Sequence, residues 1–239
     1  MAWLAFAALL LGIGIQAALA ARPEINTPAV EESVFEEPAQ TPTAERVPAP
    51  AAWDILILVN RWHPVPEAYM PVLEDIGEGY ALDIRCADAL LQMLQDCREA
   101  GNHPIVCSAY RGMDEQQELY DNRIRRYVDE GVDPEEAPAL AARSVALPGT
   151  SEHQLGLAVD IIDENYVILD AGQEETSTQK WLMENCLNYG FILRYPNGTT
   201  EITGIIYEPW HYRYVGVEAA AEIHALGLTL EEYTERKER

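Results

Sequence analysis

The first fifty residues most constrain what this chain can fold into, because they cannot join a packed core and so confine folding to the residues beyond them. From Ala2 to Ala21 there is no charged side chain, and Trp3, Leu4, Phe6, Ile13 and Ile15 make an apolar run of about membrane-spanning length. Ala18-Leu19-Ala20 has the small-x-small form of a signal-peptidase site, yet no Lys or Arg precedes the run. Residues 1–21 are therefore expected to be a signal peptide or an uncleaved membrane anchor, and either implies export. A buried core helix is the third option, but the next segment gives it nothing to pack against. Residues 22–52 carry Pro23, Pro28, Pro38, Pro42, Pro48 and Pro50 among Glu, Thr and Ala, too few large apolar groups to offset the entropy of ordering. They read as a disordered tether. One folded domain is expected over 53–232, with a charged, solvated tail at 233–239.

Charge narrows the function. Asp and Glu number 40 against 16 Lys and Arg, a formal charge of −24. Neutralising nucleic-acid phosphates needs clustered Lys and Arg, so no nucleic-acid partner is expected. Lys180 and Lys237 are the only lysines, so there is no polybasic patch for an anionic membrane surface, and membrane contact is expected only through the N-terminal run if it is not cleaved.

Within the domain, Asp54 to Asn60 is a strand-like apolar run. Residues 84–100 repeat apolar side chains at Ala87, Leu90, Leu91 and Leu94, a helical period stopped by Gly101. Residues 104–110 read as a strand, 114–130 as a helix with Asp114 near its N-cap, and 135–145 as a third helix. Residues 156–162, 166–170, 191–195 and 204–214 are short β-rich segments punctuated by Gly, Asn and Pro, with a helix at 178–189 among them. The class is α+β with an antiparallel sheet. Cys86, Cys97, Cys107 and Cys186 suffice for two disulfides in an exported protein. Cys86 and Cys97 share a helix roughly 16 Å apart along its axis and cannot pair. Cys97 with Cys107 remains open, as does the alternative of buried free thiols.

Chemistry concentrates in three segments. Ser151-Glu-His153-Gln-Leu-Gly156-Leu-Ala-Val-Asp160 and Glu208-Pro-Trp-His211 together offer two imidazoles and a carboxylate, a donor set suited to zinc with a fourth position left open. His153 and Asp160 converge only if the chain bends between them, and Gly156 is placed to allow it. Glu208, three residues before His211, would face the same cavity as a proton acceptor for the attacking water. Neither HExxH nor a zinc-finger spacing occurs. Taken singly, each histidine could equally be a surface or core group. His63 and His103, each before a proline, and His224 on the C-terminal helix are expected to have structural or solvent roles. The third segment, Ser108-Ala-Tyr-Arg111 with Gln116 five residues on, presents a rigid cationic fork for an oxyanion, or simply a helix-start arginine pairing with a surface glutamate.

These segments, with Gly190-Phe-Ile-Leu-Arg-Tyr195-Pro and Glu208-Pro-Trp-His211-Tyr-Arg-Tyr, resemble in order the VanY-type D-alanyl-D-alanine carboxypeptidases over about residues 54–230. The resemblance implies the fold shared by lysostaphin-type peptidases, D-Ala-D-Ala metallopeptidases and the hedgehog signalling domain, a small antiparallel sheet with zinc on one face and helices on the other. It implies His153, Asp160 and His211 as zinc ligands, Glu208 as general base and Arg111 as the group that polarises the scissile carbonyl. Ser151, Gln116, Tyr195 and Trp210 are then candidate substrate contacts. Gly112 stands where the family often has Ser. The implied activity is zinc-dependent removal of the terminal D-alanine from peptidoglycan stem peptides, at the outer face of the membrane or in the wall, by a monomer with no cofactor besides zinc. L,D-carboxypeptidase action on tetrapeptide stems and a non-catalytic wall-peptide-binding module are the alternatives, and a cytoplasmic dipeptidase is disfavoured by the N-terminus.

Overall fold

The computed structural model describes residues 54–239; the apolar run, the tether and Trp53 lie outside the described residues. Strands β1 (Leu73–Gly77) and β2 (Tyr80–Asp83) form an antiparallel hairpin, and β2 leads directly into helix α1 (Ile84–Glu99). Asp83 caps that helix by accepting a hydrogen bond from the Arg85 N–H at 3.0 Å. Cys86, Ala87, Leu90, Met93, Leu94 and Cys97 make its buried stripe, and the left-handed Gly101, with φ +87°, ends it.

The main sheet is antiparallel throughout, with strands β3 (Pro104–Ser108), β4 (Ala158–Asp163), β5 (Phe191–Leu193) and β6 (His211–Tyr214) in the order β3-β4-β6-β5. Alternation along β4 and β6 sends Val159, Ile161 and Tyr212 into the main core with Leu90 and Met93 of α1 and Leu182 of helix α4 (Ser177–Asn185). Asp160 and His211, paired across the two strands, face the other way. Helices α2 (Met113–Asp129) and α3 (Ala137–Ala141) pack together through Tyr120, Ala141, Ala142 and Val145, and α2 borders the cleft on that second face. Helix α5 (Thr200–Thr203) precedes β6; α6 (Val217–Leu226) and α7 (Leu230–Glu238) come after it.

Several expected elements take a different form. The run at 54–60 is not a strand: its only bridge is Asn60 with His63. Its side chains nevertheless alternate, Ile57 and Val59 towards the main core and Leu56 and Leu58 towards the cluster of α6 and α7. In place of a neighbouring strand, the Arg213 guanidinium donates to the carbonyls of Ile55 and Ile57 at 2.8 and 2.9 Å. The segment 166–170 pairs only through Tyr166 with Asp163, and 204–214 is extended only from His211, because Gly204 caps α5 and Pro209 lies in a turn. The cap of α2 is Gly112, whose N–H donates to the Glu115 carboxylate at 3.0 Å, and Asp114 lies in the first turn, near the N-cap as expected. The third helix is the short α3. At the C-terminus, Thr229 and Glu232 form a capping box and Tyr233 is buried, so core packing continues past residue 232 into α7. Among the described residues no helix is long and apolar enough to cross a membrane.

All four cysteines are free, and Cys86, Cys97 and Cys186 are buried. Burial pushes these three thiols up to about 12. They should resist an aromatic disulfide reagent in the native protein, while all four should titrate in the unfolded, unreduced chain; a lower count there would reveal a bridge.

Candidate metal centre and cleft

Local geometry brings the expected residues to one place. His153 sits in a one-turn 3₁₀ segment, Glu152–Leu155, closed by Gly156 at φ +70°. A Cβ at residue 156 would lie 3.0 Å from the backbone nitrogen of Asp83, so only glycine allows both this turn and the close approach to the start of α1. The reversal starts β4 so that Asp160 returns beneath His153. Asp160 is flanked in register by Ser108 on β3 and His211 on β6.

His153 Nε2 lies 3.3 Å from Asp160 Oδ2, and His211 Nδ1 lies 3.0 Å from Asp160 Oδ1. The three side chains are buried, and each offers one donor atom within 4.8 Å of the others. His153 Nδ1 faces the Ala109 carbonyl at 2.6 Å; the carbonyl only accepts, so Nδ1 carries the proton and the Nε2 lone pair is turned to the trio. Asp160 Oδ1 has no hydrogen-bond partner among the described residues despite its closeness to His211. Two donor atoms held together without hydrogen-bond alignment suit two ligands of one cation, and His₂Asp with an open position is a donor set of the zinc type. Burial works against protonation of His211, but its contacts with Asp160 and Glu152 outweigh it and raise the imidazole to about 9. A metal at Nδ1 would displace that proton.

Glu208 lies at the edge of the trio, with Oε2 3.8 Å from His211 Nδ1. Burial pushes its carboxyl up to about 8 against the pull of His211, and a bound dication would draw it back down. Arg111 approaches from the β3–α2 turn, with Nη1 3.8 Å from Asp160 Oδ2. Its fork is fixed by bonds from Nη1 to Ser108 Oγ at 2.6 Å and from Nε to Gln116 Oε1 at 3.1 Å. Gln116 thus differs from expectation. It is fully buried, also donates to the Ala146 carbonyl at 2.7 Å, and steadies Arg111 from behind without lining the cleft.

The cleft has a volume of about 480 Å³, and Ser151, Tyr195 and Trp210 line it with Arg111, Glu208 and the trio. The Tyr195 ring lies 4.8 Å from that of His211, centroid to centroid. Among the described residues His63, His103 and His224 take no part in a metal-binding group. His63 bonds Asn60, and His103 is exposed beside Glu164. Sequence reasoning missed Ser108 as a clamp and, more importantly, the buried charges Glu152, Arg194 and Arg213 behind His211. The available signal was arginine flanked by apolar and aromatic residues in Leu193-Arg194-Tyr195 and Tyr212-Arg213-Tyr214.

Against known families, residues 79–217 match the model described as VanY, D-alanyl-D-alanine carboxypeptidase. The chain belongs to the VanY family. A D-alanyl-D-alanine carboxypeptidase of Enterococcus faecalis (strain ATCC 700802 / V583) is 48% identical over 178 residues, 74% of this chain and 65% of that protein, so the chain spans about two thirds of this relative's length. A solved VanY D,D-pentapeptidase variant from a VanB-type resistance cassette, in complex with Zn(II), is 48% identical with a TM-score of 0.69, covering 75% of this chain and 98% of that one. The LdcB LD-carboxypeptidase structure is 37% identical with a TM-score of 0.65, covering 76% and 86%. The solved structures similar to this chain thus include both D,D- and L,D-acting enzymes by name.

Proposed function

We propose that this chain is a zinc-dependent D-alanyl-D-alanine carboxypeptidase that removes the terminal D-alanine from peptidoglycan stem peptides. The observation that carries this reading is the buried trio His153, Asp160 and His211, with Glu208 and the clamped Arg111 beside it at the base of one cleft. Zinc held by the trio would polarise the scissile carbonyl and make the attacking water more acidic. Glu208 accepts the proton of that water and returns it to the departing amine, a double task suited to a carboxyl whose pKa the site moves towards neutrality. Arg111, held by Ser108 and Gln116, donates to the oxyanion as it forms. Ser151, Tyr195 and Trp210 bound the space for the terminal residue. Every group in the scheme comes from one chain, which supports action as a monomer, and export through the N-terminal run would place the domain among its substrates.

The 48% identity to the D,D enzymes supports D,D specificity over the L,D alternative. Incubation with pentapeptide and tetrapeptide stems, with products identified by mass, tests it. Pentapeptide should lose one alanine and tetrapeptide should persist; trimming of tetrapeptide alone would establish the L,D reading, and no cleavage of either would leave only a binding module. Replacing Arg111 by Ala should lower kcat about 10²–10³-fold while zinc stays bound, measured by steady-state kinetics beside metal analysis.

A further inference from the structure

The trio does not hold its own orientation. His153 is fixed by the Ala109 carbonyl on its non-ligating nitrogen, and His211 needs an equivalent acceptor for Nε2 if Nδ1 is to face the metal. The atom opposite His211 Nε2 is Glu152 Oε2, at 3.6 Å. Both atoms are buried, and neither has any hydrogen-bond partner among the described residues. Each is therefore the other's sole available complement there.

The other oxygen of Glu152 is fully committed. Oε1 accepts from Arg194 Nε at 2.8 Å and from Arg213 Nη1 at 2.7 Å. Arg194 spends its remaining nitrogens on a bidentate pair with Glu231 of α7, Nη1 to Oε2 at 2.9 Å and Nη2 to Oε1 at 2.6 Å. Arg213 spends its own on the carbonyls of Tyr214, Ile55 and Ile57. Two carboxylates and two guanidiniums thus cancel in charge, and every guanidinium nitrogen is bonded. Buried ion pairs contribute little to stability beyond what apolar packing of the same volume would give. Here the frame leaves one carboxylate oxygen free, aimed at a metal-site imidazole.

We infer that Glu152 is a positioning residue that orients His211 for zinc, held in place by Arg194, Arg213 and, through them, Glu231 of the C-terminal helix. This rests on the zinc reading above. It makes α7, far from the ligands in sequence, part of the metal centre.

Zinc affinity measured by chelator competition on the full chain tests it, with the melting temperature of the metal-free protein as a check on folding. Glu152→Asp keeps the charge that the two arginines need but withdraws the oxygen from His211. Zinc should bind about 10–100-fold more weakly, and the visible spectrum of the cobalt-substituted protein should shift, with folding retained. Glu152→Gln should behave alike. Should both fail to fold, Glu231→Gln, already partly exposed at the outer end of the frame, is expected to show the same fall in smaller degree. A folded variant with wild-type zinc affinity and an unchanged cobalt spectrum overturns the inference and leaves the proposed function standing. A wild-type chain that binds no zinc overturns both.

Discussion

Glu208→Gln should leave zinc bound and bring turnover close to a halt. Gln keeps the size of the side chain and a hydrogen bond, but it takes no proton at neutral pH. Acid–base groups typically supply about 10²–10⁴-fold, and this one side chain serves both proton transfers, so the loss should fall near the upper end. The geometry gives the expectation its force: Glu208 lies 3.8 Å from His211 Nδ1, and Arg111 and Arg123 act on it only from beyond ion-pair distance. The competing view, in which Glu208 only pairs with a nearby arginine such as Arg213, fails structurally because Arg213 is spent on Glu152 and on three carbonyls. A Glu208→Gln protein that binds zinc and turns over at a normal rate would remove this mechanism.

Loss of a ligand should be more drastic still. His153→Ala and Asp160→Ala are each expected to abolish stoichiometric zinc and reduce carboxypeptidase activity to background, read by metal analysis on the purified chain together with D-alanine release. The two should differ in what they leave behind. Without Asp160 the buried His211 loses the partner that most favours its charged form, whereas without His153 the carboxylate keeps its contact with His211 at 3.0 Å. Full zinc retention in both variants would refute the assigned trio.

How legible was this in the sequence? Helix α1 was, since its buried stripe and its C-terminal stop are local, an apolar period with Gly101 behind it; the Asp83 cap emerged only from the structure. The trio and Glu208 were legible because their chemistry is unusual in combination, and Gly156 announced the turn that joins them. The run at 54–60 misled because its alternation is real, while the partner that satisfies its backbone is a side chain, Arg213, about 156 residues away in sequence. The β-rich reading of 204–214 exceeded the strand because propensity ignores what Pro209 and the α5 cap do to the ladder. Gln116 was read as a cleft residue because a motif gives a position but not a direction, and its amide points inward to Arg111 and Ala146. The frame behind His211 stayed hidden for a similar reason: Glu152 and Arg194 are 42 residues apart, and nothing local to either marks the pairing.

The pairing of Asp160 with His211 across β4 and β6 has a bearing on how the chain reaches its native state. Side chains alternate along strands, so sliding β6 by a single residue would turn His211 to the core and bring Tyr212 to the cleft. A slipped sheet would bury His211 and Arg213 in place of Tyr212, and it would no longer present two ligands to one ion. Metal capture would therefore reward the same alignment that burial of Tyr212 selects, and bound zinc would add to the preference for the native strand register.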